Sequence, residues 1–230
     1  VRFLLPLLEL FFPSRCLLCR GRQDDNRDLD GFCAACLTAL PDPAGCCRRC
    51  GQLLPERGVC PTCRGYRLAF SGACAAGQYR GKIRRVIHRY KYAGHSQLAV
   101  PLGRLLARQV RRCPWPALSA VVPVPLHRRR LAERGYDQSQ LLAEAVAAEL
   151  GIPLLTILER TIDTTSQTRF AAAERWGNVR EAFAVMPGSA LHGNILLVDD
   201  LLTTGATAHY AAQALLNSGA GTVYLAVVAR

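Results

Sequence analysis

The 230-residue sequence has no apolar run approaching the length of a membrane span, which removes a bundle of membrane helices from consideration. It also lacks any Gly-rich loop ending in Gly-Lys-Ser or Gly-Lys-Thr. A P-loop nucleotide triphosphatase, which also sets a carboxylate after an apolar strand, is therefore excluded. Acidic residues are scarce: 17 Asp and Glu face 29 Lys and Arg, for a net charge of +12. That imbalance favours a polyanionic partner, whether nucleic acid, a pyrophosphate-bearing small molecule or both, and charge alone does not choose between them. The opening VRFLLPLLELFF superficially resembles a secretory leader. Pro6 and Glu9 interrupt its apolar run and no small-residue cleavage site follows, so the expectation is a short amphipathic segment packed on a soluble, cytoplasmic chain. Half of the residues are apolar and a fifth charged, enough for one α/β domain with a proper core plus a smaller appendage.

What the chain has in excess is cysteine, and it is concentrated at one end. Eight cysteines in the first 63 residues form four Cys-x-x-Cys pairs: Cys16 and Cys19, Cys33 and Cys36, Cys47 and Cys50, Cys60 and Cys63. Each pair can present two thiolates to one metal, and two pairs complete a tetrahedral site suited to zinc. A disulfide framework is the competing reading, but the regular spacing suits zinc better; redox exchange would need fewer pairs. Sequential pairing joins the first two pairs and the last two, whereas a cross-braced head would interleave them, so one or two structural Zn²⁺ ions are expected. Cys46 adjoins Cys47, and Cys74 and Cys113 read as buried thiols. The head has too little apolar sequence for its own core, so metal must supply folding energy. We expect it to occupy 1–66, with the α/β body at 67–230.

Along the body, 68–79 suggests one or two strands. KIRRVIHRYKYAG follows, a basic amphipathic helix with Ile83, Val86, Ile87 and Tyr90 inward and Lys82, Arg84, Arg85, Arg89 and Lys91 mostly around the rest. That face is either ordinary solvated charge or a contact for phosphate or DNA backbone. A helix is predicted over Leu98 to Val110 and a Val-rich strand over Leu118 to Val124. A loop bearing Arg128, Arg129, Arg130 and Arg134 comes next, leading into a helix that reaches Leu150 with Tyr136, Leu141, Leu142, Ala145, Val146 and Leu150 inward. Guanidinium forks match the paired oxygens of pyrophosphate, with surface charge as the plainer alternative. Strands are expected at Ile152 to Leu158, Val179 to Val185 and Thr222 to Ala229, with a substrate-closing flap over Thr161 to Gln167 and a short helix at Ala171 to Arg175. Trp176 packs beneath the flap or stacks on a base.

The body is organised around NILLVDDLLTTGAT, Asn194 to Thr207. Asn194 to Val198 reads as a buried strand, Asp199 and Asp200 stand where it leaves the sheet, and Thr203, Thr204, Gly205, Ala206 and Thr207 open a helix over His209 to Leu216. Hydroxyls, a flexible glycine and free N–H groups at a helix start make a phosphate cradle, and the two acids could hold ribose hydroxyls or Mg²⁺ through water. An ordinary polar turn is the competing reading. The segment resembles the 5-phosphoribosyl-1-pyrophosphate (PRPP) signature of type I phosphoribosyltransferases. That resemblance implies ribose contacts for Asp199 and Asp200 and 5-phosphate contacts for Thr203 to Thr207.

The whole chain resembles the ComF/GntX group, the competence protein F family. Beside the Cys-x-x-Cys head, the likeness runs through Tyr79 to Gly81, Lys91 to Gly94, PVPLHRRRLAERGYDQ, Thr164 with Gln167, Asn178 with Ala182 and Phe183, and LLVDDLLTTGAT. It implies a type I phosphoribosyltransferase-like, mostly parallel sheet flanked by helices, with the zinc head in front. It further implies a PRPP pocket with Mg²⁺ and a role in handling single-stranded DNA alongside competence or DNA-processing proteins. On that basis Asp199, Asp200, Arg128, Arg129, Arg130 and Lys91 are the catalytic candidates, the basic residues offsetting charge on departing pyrophosphate. A non-catalytic single-stranded DNA-binding protein and a PRPP-sensing regulator are the alternatives. No residue stands out as a base for the acceptor, and oligomeric state has no readable signal. Two positions depart from the family pattern: Ile162 where a basic residue is usual, and Asp137 where an amide is common.

Overall fold

A computed structural model describes residues 15–21, 31–92, 94–162, 182–189 and 191–230. The expectations for the opening segment, for the Thr161 to Gln167 flap beyond its first two residues, for the helix at Ala171 to Arg175, for Trp176 and Asn178, and for the first three residues of the Val179 to Val185 strand lie outside the described residues. In chain order the head contributes α1 (Ala34–Thr38) and α2 (Pro61–Gly65). The body contributes β1 (Gly72–Gly77), α3 (Gly81–Tyr92), α4 (Ala99–Arg111), β2 (Ala120–Pro123), α5 (Arg128–Arg134), α6 (Gln138–Leu150), β3 (Leu158–Arg160), β4 (Phe183–Val185), β5 (Asn194–Leu201), α7 (Ala206–Asn217) and β6 (Thr222–Ala229).

Four of these strands form an all-parallel sheet in the order β1-β6-β5-β2, with β3 and β4 a separate antiparallel pair. Parallel strands are covered on both faces, which is why β5 and β6 read as nearly unbroken apolar runs. Ile195 to Val198 and Leu225 to Ala229 are buried accordingly. The central strand outlasts its apolar part: Asp199 pairs with Val227 and Leu201 with Ala229. Because β6 stays apolar that far, the two acids sit within the last residues of β5 and not in a loop beyond it.

Helices cover the sheet much as periodicity predicts. Helix α3 buries Val86, Ile87 and Tyr90 and exposes Lys82, Arg84 and Arg85. Helix α6 buries Leu142 and Val146 of the expected stripe, while Tyr136, Leu141, Ala145 and Leu150 are half-buried. Gly103 brings α4 against α6, since a Cβ there would strike the Cβ of Ala145.

Two expectations need correction. The arginine-rich stretch after β2 is helix α5 and not a loop: His127 Nδ1 caps its start by accepting from Arg129 N, Glu133 pairs with Arg129 one turn earlier at 3.3 Å, and Gly135 ends it at φ 78°. Residues 152–157 are not a strand. Pro153 has no N–H to enter a ladder, and contact with β2 is limited to a bridge between Leu154 and Val121 before β3 begins at Leu158.

The head settles the cysteine pairing as sequential. Sulfurs of Cys16, Cys19, Cys33 and Cys36 lie within 4.8 Å of one another, and so do those of Cys47, Cys50, Cys60 and Cys63. Four thiolates at the usual zinc–sulfur distance in a tetrahedron stand about 3.8 Å apart. Cys19 to Cys33 and Cys50 to Cys60 are both 3.7 Å. Backbone N–H groups of Gly21, Cys60 and Cys63 donate to Cys19, Cys47 and Cys60 sulfurs at 3.4, 3.3 and 3.4 Å, as thiolate ligands require. Burial raises the Cys16 and Cys47 thiols, yet backbone donors outweigh it and bring both to about 7. Desolvation, then neighbouring thiols, push Cys36 and Cys63 well up. Such a set ionises together only around a cation. Cys46 stands apart, donating to the Asp42 carbonyl at 3.4 Å; Cys74 is buried, and Cys113 is half-buried and donates to the Gln109 carbonyl at 3.4 Å. Metal analysis of the purified chain is expected to return two zinc ions. Cys63→Ser should return one and melt lower by roughly 5 °C or more; one zinc in both proteins would remove the second site.

Candidate functional site

The carboxyl end of β5 delivers two adjacent carboxylates into a partly dry setting. Asp200 is 6% exposed and meets the Lys91 ammonium, Nζ to Oδ1, at 2.8 Å. Lys91 comes from the last turn of α3, so the basic helix places this residue inward even as Lys82, Arg84 and Arg85 face solvent. Burial works against the lysine's charge, but the Asp200 carboxylate outweighs it and holds Lys91 above its ordinary range. Asp199 is half-buried. Its Oδ1 accepts from Ser139 Oγ at 3.0 Å and from the Asp200 N–H at 2.7 Å. Burial, and then the like charge of Asp200, raise its carboxyl to about 7, with Lys91 and the two donors pulling the other way.

Ser139 is held where it is by the start of α6. Asp137 caps that helix, Oδ1 accepting from Ser139 N at 2.9 Å and Gln140 N at 3.1 Å. Its other oxygen accepts from Leu126 N at 2.9 Å, which ties the turn after β2 to the helix start. Both carboxylate oxygens act as acceptors. An amide here would turn an N–H₂ toward one of these donors, so the acid is the better cap in this chain. The same corner is braced by Tyr90, whose hydroxyl donates to the Gln138 carbonyl at 2.7 Å, and by Tyr136, whose hydroxyl donates to the Tyr90 carbonyl. Arg134 is no free cation for a ligand: Nη1 donates to Gln138 Oε1 at 2.7 Å and the guanidinium lies 5.1 Å above the Tyr92 ring.

Beyond β5, Thr203 to Thr207 lead into α7. Gly205 takes φ 89°, left-handed backbone that a side chain would strain, and Thr204 Oγ1 accepts from Ala206 N at 3.5 Å. The first-turn N–H groups of α7 have no intrahelical acceptor, as at any helix start. Arg230 fastens the loop from behind. Its Nη1 donates to the Thr203 carbonyl at 2.7 Å, and its Nη2 approaches the Cys50 sulfur at 3.8 Å.

The other basic candidates separate. Arg128 lines a cavity of about 450 Å³ with Pro125, Leu126, Arg160 and Thr161. Arg129 is exposed and paired with Glu133, and Arg130 is half-buried on the same helix. Sequence reasoning missed Ser139, the Arg128–Arg160 cavity and Arg230. Only the Asp137 cap left a signal, an acid directly before a helical pattern. Ser139 and Arg230 reach their partners across 60 and 27 residues.

With Asp199 raised from 3.8 to about 7, the folded chain keeps a proton that the unfolded chain releases between those values. Its contribution to stability is therefore present below about pH 4 and lost as pH climbs towards 7. Asp199→Asn keeps an oxygen for Ser139 and should be more stable than the parent at pH 7.5, by ~1–3 kcal/mol after allowing for solvent screening. That gain should shrink towards zero near pH 4 in urea melts; a difference independent of pH would show that Asp199 is not the titrating group.

Residues 7–64 match the double zinc ribbon domain family. The chain is 31% identical over 221 residues to the DNA utilization protein YhgH of Salmonella typhi, covering 93% of this chain and 96% of that one. It is 30% identical over 207 residues to competence protein F of Haemophilus influenzae, covering 86% and 88%. Among solved structures, glutamine PRPP amidotransferase from B. subtilis, complexed with ADP and GMP, is similar at TM-score 0.40 and 21% identity, over 60% of this chain and 30% of that chain. At that identity and coverage the relatives decide the matter: the chain belongs to the competence protein F family, the ComF/GntX group.

Proposed function

We propose that this protein binds PRPP together with Mg²⁺ at the carboxyl end of β5 and transfers its phosphoribosyl group to an acceptor, releasing pyrophosphate. The observation that carries this reading is the adjacency of two carboxylates and a hydroxyl-rich loop opening a helix at one strand end. Thr203 to Thr207 take the 5-phosphate on hydroxyls and helix-start N–H groups. Asp199 and Asp200 take the ribose hydroxyls, which would donate to Asp199 as Ser139 already does. Lys91 orients Asp200 through their ion pair and reaches pyrophosphate less directly than its charge alone suggests. Arg128, sharing a cavity with Arg160, is the better placed of the three arginines to offset charge on the leaving group.

Hard oxygen donors on neighbouring residues fit Mg²⁺, and the crowding that raises Asp199 is what a cation would relieve. Bound with PRPP, the ion would supply positive charge against pyrophosphate. In the transfer itself the ribose C1–O bond breaks with its electron pair leaving on pyrophosphate, and the acceptor nucleophile bonds to C1. Titration calorimetry of the zinc-loaded chain with PRPP should give micromolar binding that depends on Mg²⁺ and weakens at least tenfold in Asp200→Asn. A folded, zinc-replete sample that releases no heat would overturn the assignment.

A second reading, single-stranded DNA binding, is favoured by a separate feature. At the opposite, amino end of the sheet a cavity of about 730 Å³ is lined by Arg48, Arg57 and Arg112 with Trp115 and Tyr224, whose rings stack at 4.8 Å. Cations beside stacked aromatics suit a flexible strand, and the relatives are named for competence and DNA utilization. The two readings occupy different ends of the sheet and are compatible. Oligonucleotide affinity should fall steeply with salt, and Arg48→Ala/Arg57→Ala should flatten the log–log slope by about 1.4. Unchanged affinity and slope in that double variant would exclude this face.

A further inference from the structure

Cys46, Cys74 and Cys113 stand outside the two zinc sets. Cys74 lies on the outer strand β1, 2% exposed, within the apolar cluster that α3, α4 and α6 build on one face of the sheet. Cys113 follows the end of α4, half-buried and packed against the same cluster. The two thiols are hydrogen-bonded, Cys74 donating to the Cys113 sulfur. Cys113 also forms part of the wall of the 730 Å³ cavity at the amino end of the sheet, which Arg48, Arg57 and Arg112 line with it. Cys46 is turned elsewhere, to the Asp42 carbonyl at 3.4 Å. The paired thiols are chemically unequal. The hydrogen bond from Cys74 lowers Cys113, burial opposes it, and Arg112 lowers it further, so Cys113 lies below the ordinary thiol range. That same hydrogen bond, and then burial, push Cys74 well above it. Packing alone accounts for Cys74, a small apolar side chain in a core. It does not account for a second thiol against the first on a cavity wall among guanidiniums, where alanine or valine would pack equally well.

We propose that Cys113 and Cys74 are a peroxide-reactive pair, Cys113 attacking the oxidant from the cavity and Cys74 resolving the product into a disulfide. In the first step the Cys113 thiolate bonds to one peroxide oxygen. The O–O bond breaks with its electron pair leaving as hydroxide, which takes up the proton that Cys113 shed and becomes water. Cys113 is then a sulfenic acid. In the second step the Cys74 sulfur bonds to the Cys113 sulfur, the S–O bond breaks, and the departing oxygen takes the Cys74 proton as a second water. The two thiols lose two electrons and two protons, and the peroxide gains them. Arginines on the cavity wall stabilise the attacking thiolate and the departing hydroxide. The new bond would fasten β1 to the turn through which Arg112 meets Asp42 of the head at 3.3 Å and Trp115 stacks on Tyr224. The assignment is independent of whether that cavity takes DNA and of the PRPP reading.

The full zinc-loaded chain is exposed to hydrogen peroxide, raised stepwise until a chromogenic chelator reports zinc leaving. Samples are quenched with N-ethylmaleimide in denaturant and mapped by mass spectrometry. A disulfide between Cys74 and Cys113 should form before zinc is released. In Cys74→Ser, dimedone should trap a sulfenic acid on Cys113. In Cys113→Ser, oxidation of Cys74 should slow at least about tenfold, since the buried thiol has lost its reactive partner. Both thiols still open to alkylation when zinc starts to leave would overturn the pair. A disulfide from Cys113 to Cys46 would overturn the role of Cys74. A folded Cys74→Ser without the dimedone adduct, or Cys74 oxidised as fast in Cys113→Ser as in the parent, would overturn the role of Cys113. Should either variant fail to fold, the disulfide map of the parent decides.

Discussion

Two carboxylates on consecutive residues, at the end of a strand whose preceding four side chains are buried, cannot both carry bare charge. Much of the surrounding architecture answers that constraint. Lys91 is drawn inward, while Lys82, Arg84 and Arg85 of the same helix stay exposed, to pair with Asp200, and Ser139 turns its hydroxyl to Asp199. What these partners leave uncompensated appears as a proton held on Asp199 to about pH 7. A site with that residual deficit is suited to ligands bringing hydroxyl donors or a cation, both of which PRPP with Mg²⁺ would provide.

The supports of that strand end converge from elements far apart in the chain. Asp137 joins the turn after β2 to the first turn of α6, and so aims Ser139. Tyr136, Tyr90 and Gln138 then tie the same turn to the helix that carries Lys91. The departure from the family pattern at Asp137 thus has a structural account: its second oxygen accepts a backbone N–H that an amide nitrogen would repel. Ile162 is 46% exposed, and nothing in the structure explains it.

The zinc head is not a detached appendage in its packing. Cys16, Leu18, Phe32 and Cys36 belong to the apolar cluster of α3, α4 and α6, whereas Cys47, Cys50, Cys60 and Cys63 join the cluster on the other face with Phe70, Leu202 and α7. Arg230 then connects the second ribbon to the loop beside the carboxylates. Ribbon folding, which depends on metal, therefore bears on the position of that loop.

Several features followed from the sequence alone because each is local. Cys-x-x-Cys spacing sets two sulfurs on one metal irrespective of context. The apolar run before Asp199 and the periodicity of Val86, Ile87 and Tyr90 report burial within a single element, and the Thr203 to Thr207 loop needs only its own backbone to open a helix. Other features were decided by tertiary packing. Sequence could not say that β5 continues through both acids, since that depends on β6 remaining apolar alongside it. Nor did helical periodicity set Lys91 apart from the solvated Arg84 and Arg85 of the same helix, which only the family resemblance did, because the difference is a carboxylate arriving from 109 residues away. The arginine cluster looked like a loop because its helix is stabilised by a His127 cap, the Arg129–Glu133 ion pair and Gly135, none of which leaves an apolar stripe. Composition and spacing determined which chemical groups this protein carries; the fold determined which of them meet, because electrostatic and hydrogen-bonding partners are chosen by distance in space and not by distance along the chain.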